Sequence, residues 1–253
     1  MRMIAIAHNT FREAVRDKVL YVLLFFAASA IVGSKALGWI SIGQDIKIVK
    51  DISLAAVSVF GVLIAIFVGT NLVYKEIDKR TIYTIVCRPI HRYEFILGKF
   101  AGLAILLAIV TGLMTGVAAL YVLVLGGSVN LTFFTAALLI YWQLLLLTAM
   151  AVLLSSLTSP ILGALIVFSA YLVGHATSIL HDLPTVLKES WSGRLLEFIY
   201  YVLPNLSNFD IRAEAANGVE VSMLYVVWAL GYGTLYTAFL LGLASLAFED
   251  KDV

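Results

Sequence analysis

The side chains of this protein that could do chemistry crowd into one short run, Tyr74 to Lys99, YKEIDKRTIYTIVCRPIHRYEFILGK. Lys75, Glu76, Asp78, Lys79, Arg80, Arg88, Arg92, Glu94 and Lys99 lie there, together with His91 and the single cysteine, Cys87. Cations and carboxylates interleaved in this way suit a docking surface on which another polypeptide closes through charge-assisted hydrogen bonds. The lone thiol can form no internal disulfide, no CxxC redox pair and no haem attachment. It reads as a small residue on the reducing, cytoplasmic side.

Elsewhere, candidates for chemistry are sparse. No GxxxxGK[ST] phosphate loop occurs, so the chain is not expected to be an enzyme that hydrolyses ATP itself. His175, His181 and Asp182 are the one cluster with ligand chemistry, yet positions 175 and 181 stand about 240° apart on a helical wheel. The methionines Met1, Met3, Met114, Met150 and Met223 are scattered, with no soft-ligand pair of the kind copper(I) prefers. No metal site and no cofactor bound by this chain are expected. The net charge of +1 gives no ground for a nucleic-acid partner.

The elements that must position the charged run follow from composition. Of 253 residues, 62% are hydrophobic and only 13% charged, where a soluble domain is usually about half apolar and about a quarter charged. Six segments approach the roughly 20 apolar residues a membrane helix needs: Val19–Trp39, Ile52–Tyr74, Phe100–Leu125, Phe134–Leu157, Ile161–Leu180 and Ser222–Phe248. None alternates with period two, which points to helices and away from a barrel. The fold class expected is an all-α integral membrane protein, one transmembrane domain over residues 1–253. Ala27-Ala28-Ser29-Ala30 has the small residues of a signal cleavage site, but Glu13 and Asp17 precede it and the apolar run continues past Ile31. The first span is therefore read as uncleaved.

Lys and Arg set the orientation. With the amino terminus inside, the inner segments hold Arg2, Arg12, Arg16, Lys18, Lys75, Lys79, Arg80, Arg88, Arg92, Lys99 and Lys251. The outer ones hold fewer, Lys47, Lys50, Lys188, Arg194 and Arg212, with Lys35 at the outer end of span one and free to snorkel. Both termini are expected in the cytoplasm. Before span one, Ile4, Ala7, Phe11, Ala14, Val15 and Val19 recur at helical spacing. Residues 1–18 thus read either as a helix lying in the membrane interface or as a positive anchor for topology. On the outside, residues 182–221 carry an apolar patch, Leu195 to Leu203, suited to an interfacial or re-entrant helix. A second small helix is expected to end at Asn217-Gly218.

Within the charged run, Lys75 to Cys87 reads as helical, with Ile77, Thr81 and Ile85 along one side. Pro89 stops that helix and pushes Arg88 towards an extended conformation. A second helix starts near Arg92, with Glu94 where an acid favours a helix amino terminus. Topology alone would need neither the acids nor the proline turn, so a docking surface explains the run better than a positive anchor does.

Gly69 to Lys99, GTNLVYKEIDKRTIYTIVCRPIHRYEFILGK, resembles the signature of ABC type-2 permeases, in particular their NosY-like branch named for multicopper-enzyme maturation. The residues carrying the resemblance are Gly69, Asn71, Lys75, Glu76, Arg80, Thr81, Ile82, Pro89, Arg92, Phe95, Gly98 and Lys99. His91 stands where serine is common. The resemblance implies six spans in the inner (cytoplasmic) membrane and a coupling helix between spans two and three, over residues 74–99, that docks on a separate ATP-binding subunit. By that resemblance Lys75, Glu76, Arg80, Thr81, Arg88, Pro89, His91, Arg92 and Glu94 form the coupling site. ATP and Mg would be held by the partner. A second permease protomer, identical or not, and membrane lipid complete the expected partners, with an extracytoplasmic protein as a further one. The expected activity is export driven by the partner's ATP hydrolysis. Two alternatives stay open: an ATP-driven scaffold working through residues 182–221, and an ion-driven carrier. The carrier would need a buried acid or relay, and only His175 lies well inside a span, with Gln143 suited to a helix–helix hydrogen bond.

Overall fold

The computed structural model describes residues 2–38, 44–78, 92–176 and 203–249, with the backbone alone at 2, 71–78, 92, 248 and 249. The described residues are helical apart from short turns, and none forms a strand. The order is α1 (Arg2–Val15), α2 (Lys18–Gly38), α3 (Asp45–Asp78), α4 (Arg92–Val124), α5 (Leu131–Leu157) and α6 (Pro160–His175). A 3-10 turn (Leu206–Phe209), the short α7 (Arg212–Asn217) and α8 (Met223–Glu249) follow.

Five of these, α2, α3, α4, α5 and α8, are long and apolar enough to cross a membrane. The described part of α6 has 16 residues, about 24 Å at the usual helical rise. The rest of the expected fifth span lies outside the described residues. Successive long helices run up and down, so the bundle has two ends. The near end gathers α1, the close of α3, the start of α4 and the α5–α6 junction. At the far end the close of α2 meets that of α4, where the Tyr121 hydroxyl donates to the Val32 carbonyl at 2.8 Å.

Local sequence explains the breaks. Gly126, at φ +79°, takes the left-handed conformation that ends α4. Pro160 at the first turn of α6 lacks only an N–H that would be unpaired there anyway, so Thr158-Ser159-Pro160 separates α5 from α6 with almost no loop. Gly218, at φ +72°, closes α7, as expected for the Asn217-Gly218 pair.

The core lies along α3 and α5. In their most apolar windows 67% and 61% of residues are buried, against 22% in α2 and 33% in α8. Leu54, Ile64, Leu103, Leu107, Leu139, Leu144 and Leu147 are almost wholly enclosed. The outer helices show Phe25, Phe26, Leu224, Trp228, Leu235 and Phe239, the surface a bilayer would cover. Buried hydroxyls such as Thr70, Thr148 and Ser155 donate to the carbonyl three or four residues back, so they enter the core already paired.

Three expectations change here. Span two begins not at Ile52 but at Asp45, and its helix continues without a break to Asp78, so Lys47, Lys50 and Asp51 are helical. Gly112 and Gly116 form a GxxxG whose spacing suits close packing within the subunit or between protomers. They face outward, with nothing of this chain within 4 Å of where a Cβ would stand, which removes the first of those readings. Gln143 makes no helix–helix hydrogen bond among the described residues; its Nε2 is buried and unpartnered. The apolar patch Leu195 to Tyr200 and His181 lie outside the described residues.

Candidate functional site at the near end

The charged run is carried between two unusually long helices. α3 has 34 residues and α4 has 33, about 51 and 50 Å at the usual rise. Both exceed the ~30 Å hydrocarbon core of a bilayer. Lys75 and Glu76 fall on the last turn of α3, continuous with its span. Arg92 opens α4, which puts Glu94 at its third position, where a carboxylate meets the positive end of the helix dipole. Arg80, Thr81, Arg88, Pro89, His91 and Cys87 lie outside the described residues.

Glu94 is half-buried, and its Oε2 is buried with no hydrogen-bond partner among the described residues. One turn on, Lys99 is 1% exposed, its Nζ 5.3 Å from the centre of the Phe95 ring. Its cation–π contact is of the kind a partly desolvated ammonium favours. The sequence placed Lys99 among the charges of the docking run and the orienting cations; the structure buries it.

α1 is fixed to this same stretch. Ala7, Thr10 and Ala14 are buried, and Ile6, Phe11 and Val15 pack against the core. A Cβ at Gly102 would stand 2.5 Å from the Ala7 carbonyl oxygen and 2.8 Å from the Thr10 Cβ; one at Gly98 would stand 2.9 Å from Ile6. The glycine spacing on α4 thus admits the backbone of α1. Gly98 counted in the sequence only as part of a motif, and Gly102 did not figure at all. Their four-residue spacing on one face was the available signal.

At the far end, Asp210 holds Arg212 by two bonds, Nε to Oδ1 at 2.7 Å and Nη2 to Oδ2 at 2.6 Å. Burial pushes the Asp210 carboxyl up, but the Arg212 guanidinium outweighs it and holds the acid below its usual range. His175 has an acid in electrostatic range after all, since the fold brings up Asp210 from far along the chain. The His175 Nδ1 meets its own Tyr171 carbonyl at 3.1 Å, and its carbonyl accepts from Ser207 Oγ at 3.3 Å. Among the described residues no three His, Cys, Asp or Glu gather as a metal site.

Residues 4–253 match the family described as ABC-2 family transporter protein. The chain belongs to that family. A comparison with curated proteins gave no match. As an ABC-2 family protein it is a multi-pass membrane permease of an ABC transporter. Such a chain is a membrane subunit rather than the catalytic one, and the family in general works as a dimeric arrangement with an ATP-binding partner.

Proposed function

We propose that this ABC-2 protein is the six-span, NosY-like permease half of an exporter in the inner membrane, with both termini cytoplasmic. Its 74–99 element docks in a separate ATP-binding subunit, where ATP and Mg are held. Lys75, Glu76, Arg80, Thr81, Arg88, Pro89, His91, Arg92 and Glu94 form the contact and its brace. The observation that carries this reading is the reach of α3 and α4. Two helices longer than a bilayer is thick flank the charged run without a hinge among the described residues. Movement of the run therefore travels into the core as movement of its two supporting helices. ATP binding by paired motors biases the permease between two states through their different contacts with this element.

An ion-driven carrier is less well supported, because Asp210, the acid that acts on His175 among the described residues, is already committed to Arg212. The test is gentle purification with genomic neighbours co-expressed, followed by mass spectrometry. A stoichiometric P-loop ATPase is expected, and Glu76→Lys with Arg92→Glu should strip it while permease unfolding is unchanged. Transport by the chain alone, or normal coupling in that double variant, would overturn the docking assignment.

A further inference from the structure

The far end of the bundle encloses an open cavity of about 700 Å³. Four elements build it: the last turn of α2, the first turns of α3, the α4–α5 connection and the close of α7. Lys35, Lys47 and Lys50 all line it, and among the described residues the one carboxylate in the lining is that of Asp45. Ser128, Asn130 and Asn217 add neutral polar groups. None of the three lysine ammonium groups makes an ion pair or hydrogen bond among the described residues.

Lys50 is the telling one. It is 5% exposed as a residue and lines the cavity, so most of its stem is enclosed while its ammonium has no partner among the described residues. An unpaired ammonium held at so enclosed a position favours an anion beside it. Asp51, next along α3, does not serve it; that carboxylate lies within electrostatic range of Arg212 instead. The amino-terminal end of α3 adds its dipole, which also favours an anion.

The walls are closed by glycine. A Cβ on Gly127 would stand 2.7 Å from Ile46, and one on left-handed Gly218 would meet the Asn130 side chain at 2.8 Å. The α4–α5 connection can therefore approach α3 closely, and the close of α7 can approach that connection, which draws the cavity walls together. Ile46, Val49 and Leu125 give one flank an apolar character, and the volume falls in the range of small-ligand pockets.

We propose that this cavity binds a phosphate-bearing anion, with Lys50 as its buried counter-ion and Lys47 and Lys35 at the mouth. The anion is supplied either as an acidic lipid headgroup, glycerol against the apolar flank, or as free phosphate. The inference does not depend on how the near end couples to a motor.

The test uses the full chain in neutral detergent, with dihexanoyl-phosphatidylglycerol, dihexanoyl-phosphatidylcholine and inorganic phosphate as probes of binding. Phosphatidylglycerol should bind at least about tenfold more tightly than phosphatidylcholine. Lys50→Met and Lys47→Gln should each weaken it about tenfold, as for loss of one charged hydrogen bond. Lys50→Arg should retain it, and Lys18→Gln, at the opposite end, should leave it unchanged. Tight binding of phosphatidylglycerol alone identifies the lipid source; equal binding of inorganic phosphate identifies the free anion. No preference for either anionic probe overturns the proposal, as does undiminished binding by the lysine variants. Lys47→Gln, at an exposed position, keeps the test open should Lys50→Met fail to fold.

Discussion

Asp210 and Arg212 show how one pair of side chains can hold a connection in place. The bidentate bond closes a turn between the 3-10 segment and α7, and the same segment is tied to α8 through Tyr225, whose hydroxyl donates to the Asn208 carbonyl at 2.9 Å. Removing one member leaves the other half-buried and uncompensated. Arg212→Ala should therefore cost about 1–3 kcal/mol, the range for a charged hydrogen bond, measured by chemical unfolding in detergent. The pH dependence has a definite sign. Because Asp210 is held below its ordinary value of 3.8, its contribution is complete above that value and fades as pH falls through the lower folded one. The stability gap between wild type and Asp210→Asn should be constant from neutral pH down to about 4 and shrink in stronger acid. A gap that widened there would reverse the assignment.

At the scale of helices, glycines on one element divide into two kinds. Gly98 and Gly102 of α4 admit α1, whereas Gly112 and Gly116 of the same helix face outward. Gly102→Val should destabilise by about 1–3 kcal/mol through overpacking against Ala7 and Thr10. Gly112→Ala should be neutral or stabilising by up to about 1 kcal/mol, since alanine is the better helix former. Thermal unfolding of both variants checks the contrast, and equal effects would contradict it. The sequence made the long helices legible because continuous apolar runs have few alternative structures in a membrane. It misplaced the start of α3, since the Lys and Asp of 45–51 look like a loop until the elements packed around the far end are known. Which glycines meet a neighbour was equally hidden, because GxxxG and GxxxG-like spacings look alike whether or not another helix lies opposite. His175 and Asp210 show the same limit: their proximity is made by tertiary folding and leaves no local trace. Of the coupling residues, the sequence supplied Arg92 and Glu94 at the start of a helix, where α4 indeed begins.

For the whole molecule, the two ends of the bundle carry different charge work. In the function proposed above, the near end offers cations and acids to a polypeptide, while the far end sets lysines around a cavity. α3 touches both, running from the cavity at Asp45 to the charged run at Asp78. If α3 moves as one rod, an anion held by Lys50 should alter the response at the far side of the membrane. Motor-driven turnover in phosphatidylglycerol vesicles should then differ from that in phosphatidylcholine vesicles, and Lys50→Met should erase the difference. Equal turnover in the wild type would separate the two ends. The fit of α1 into α4 has a consequence for biosynthesis. α1 is synthesised before α4, and the groove made by Gly98 and Gly102 does not exist until the third long helix has been made. At about 5–20 residues per second, the amino-terminal helix waits several seconds with Ile6, Ala7 and Thr10 uncovered. Through that interval it needs a lipid surface or an insertion factor against which to shelter, so a segment made early reaches its final place only after three longer helices have been made.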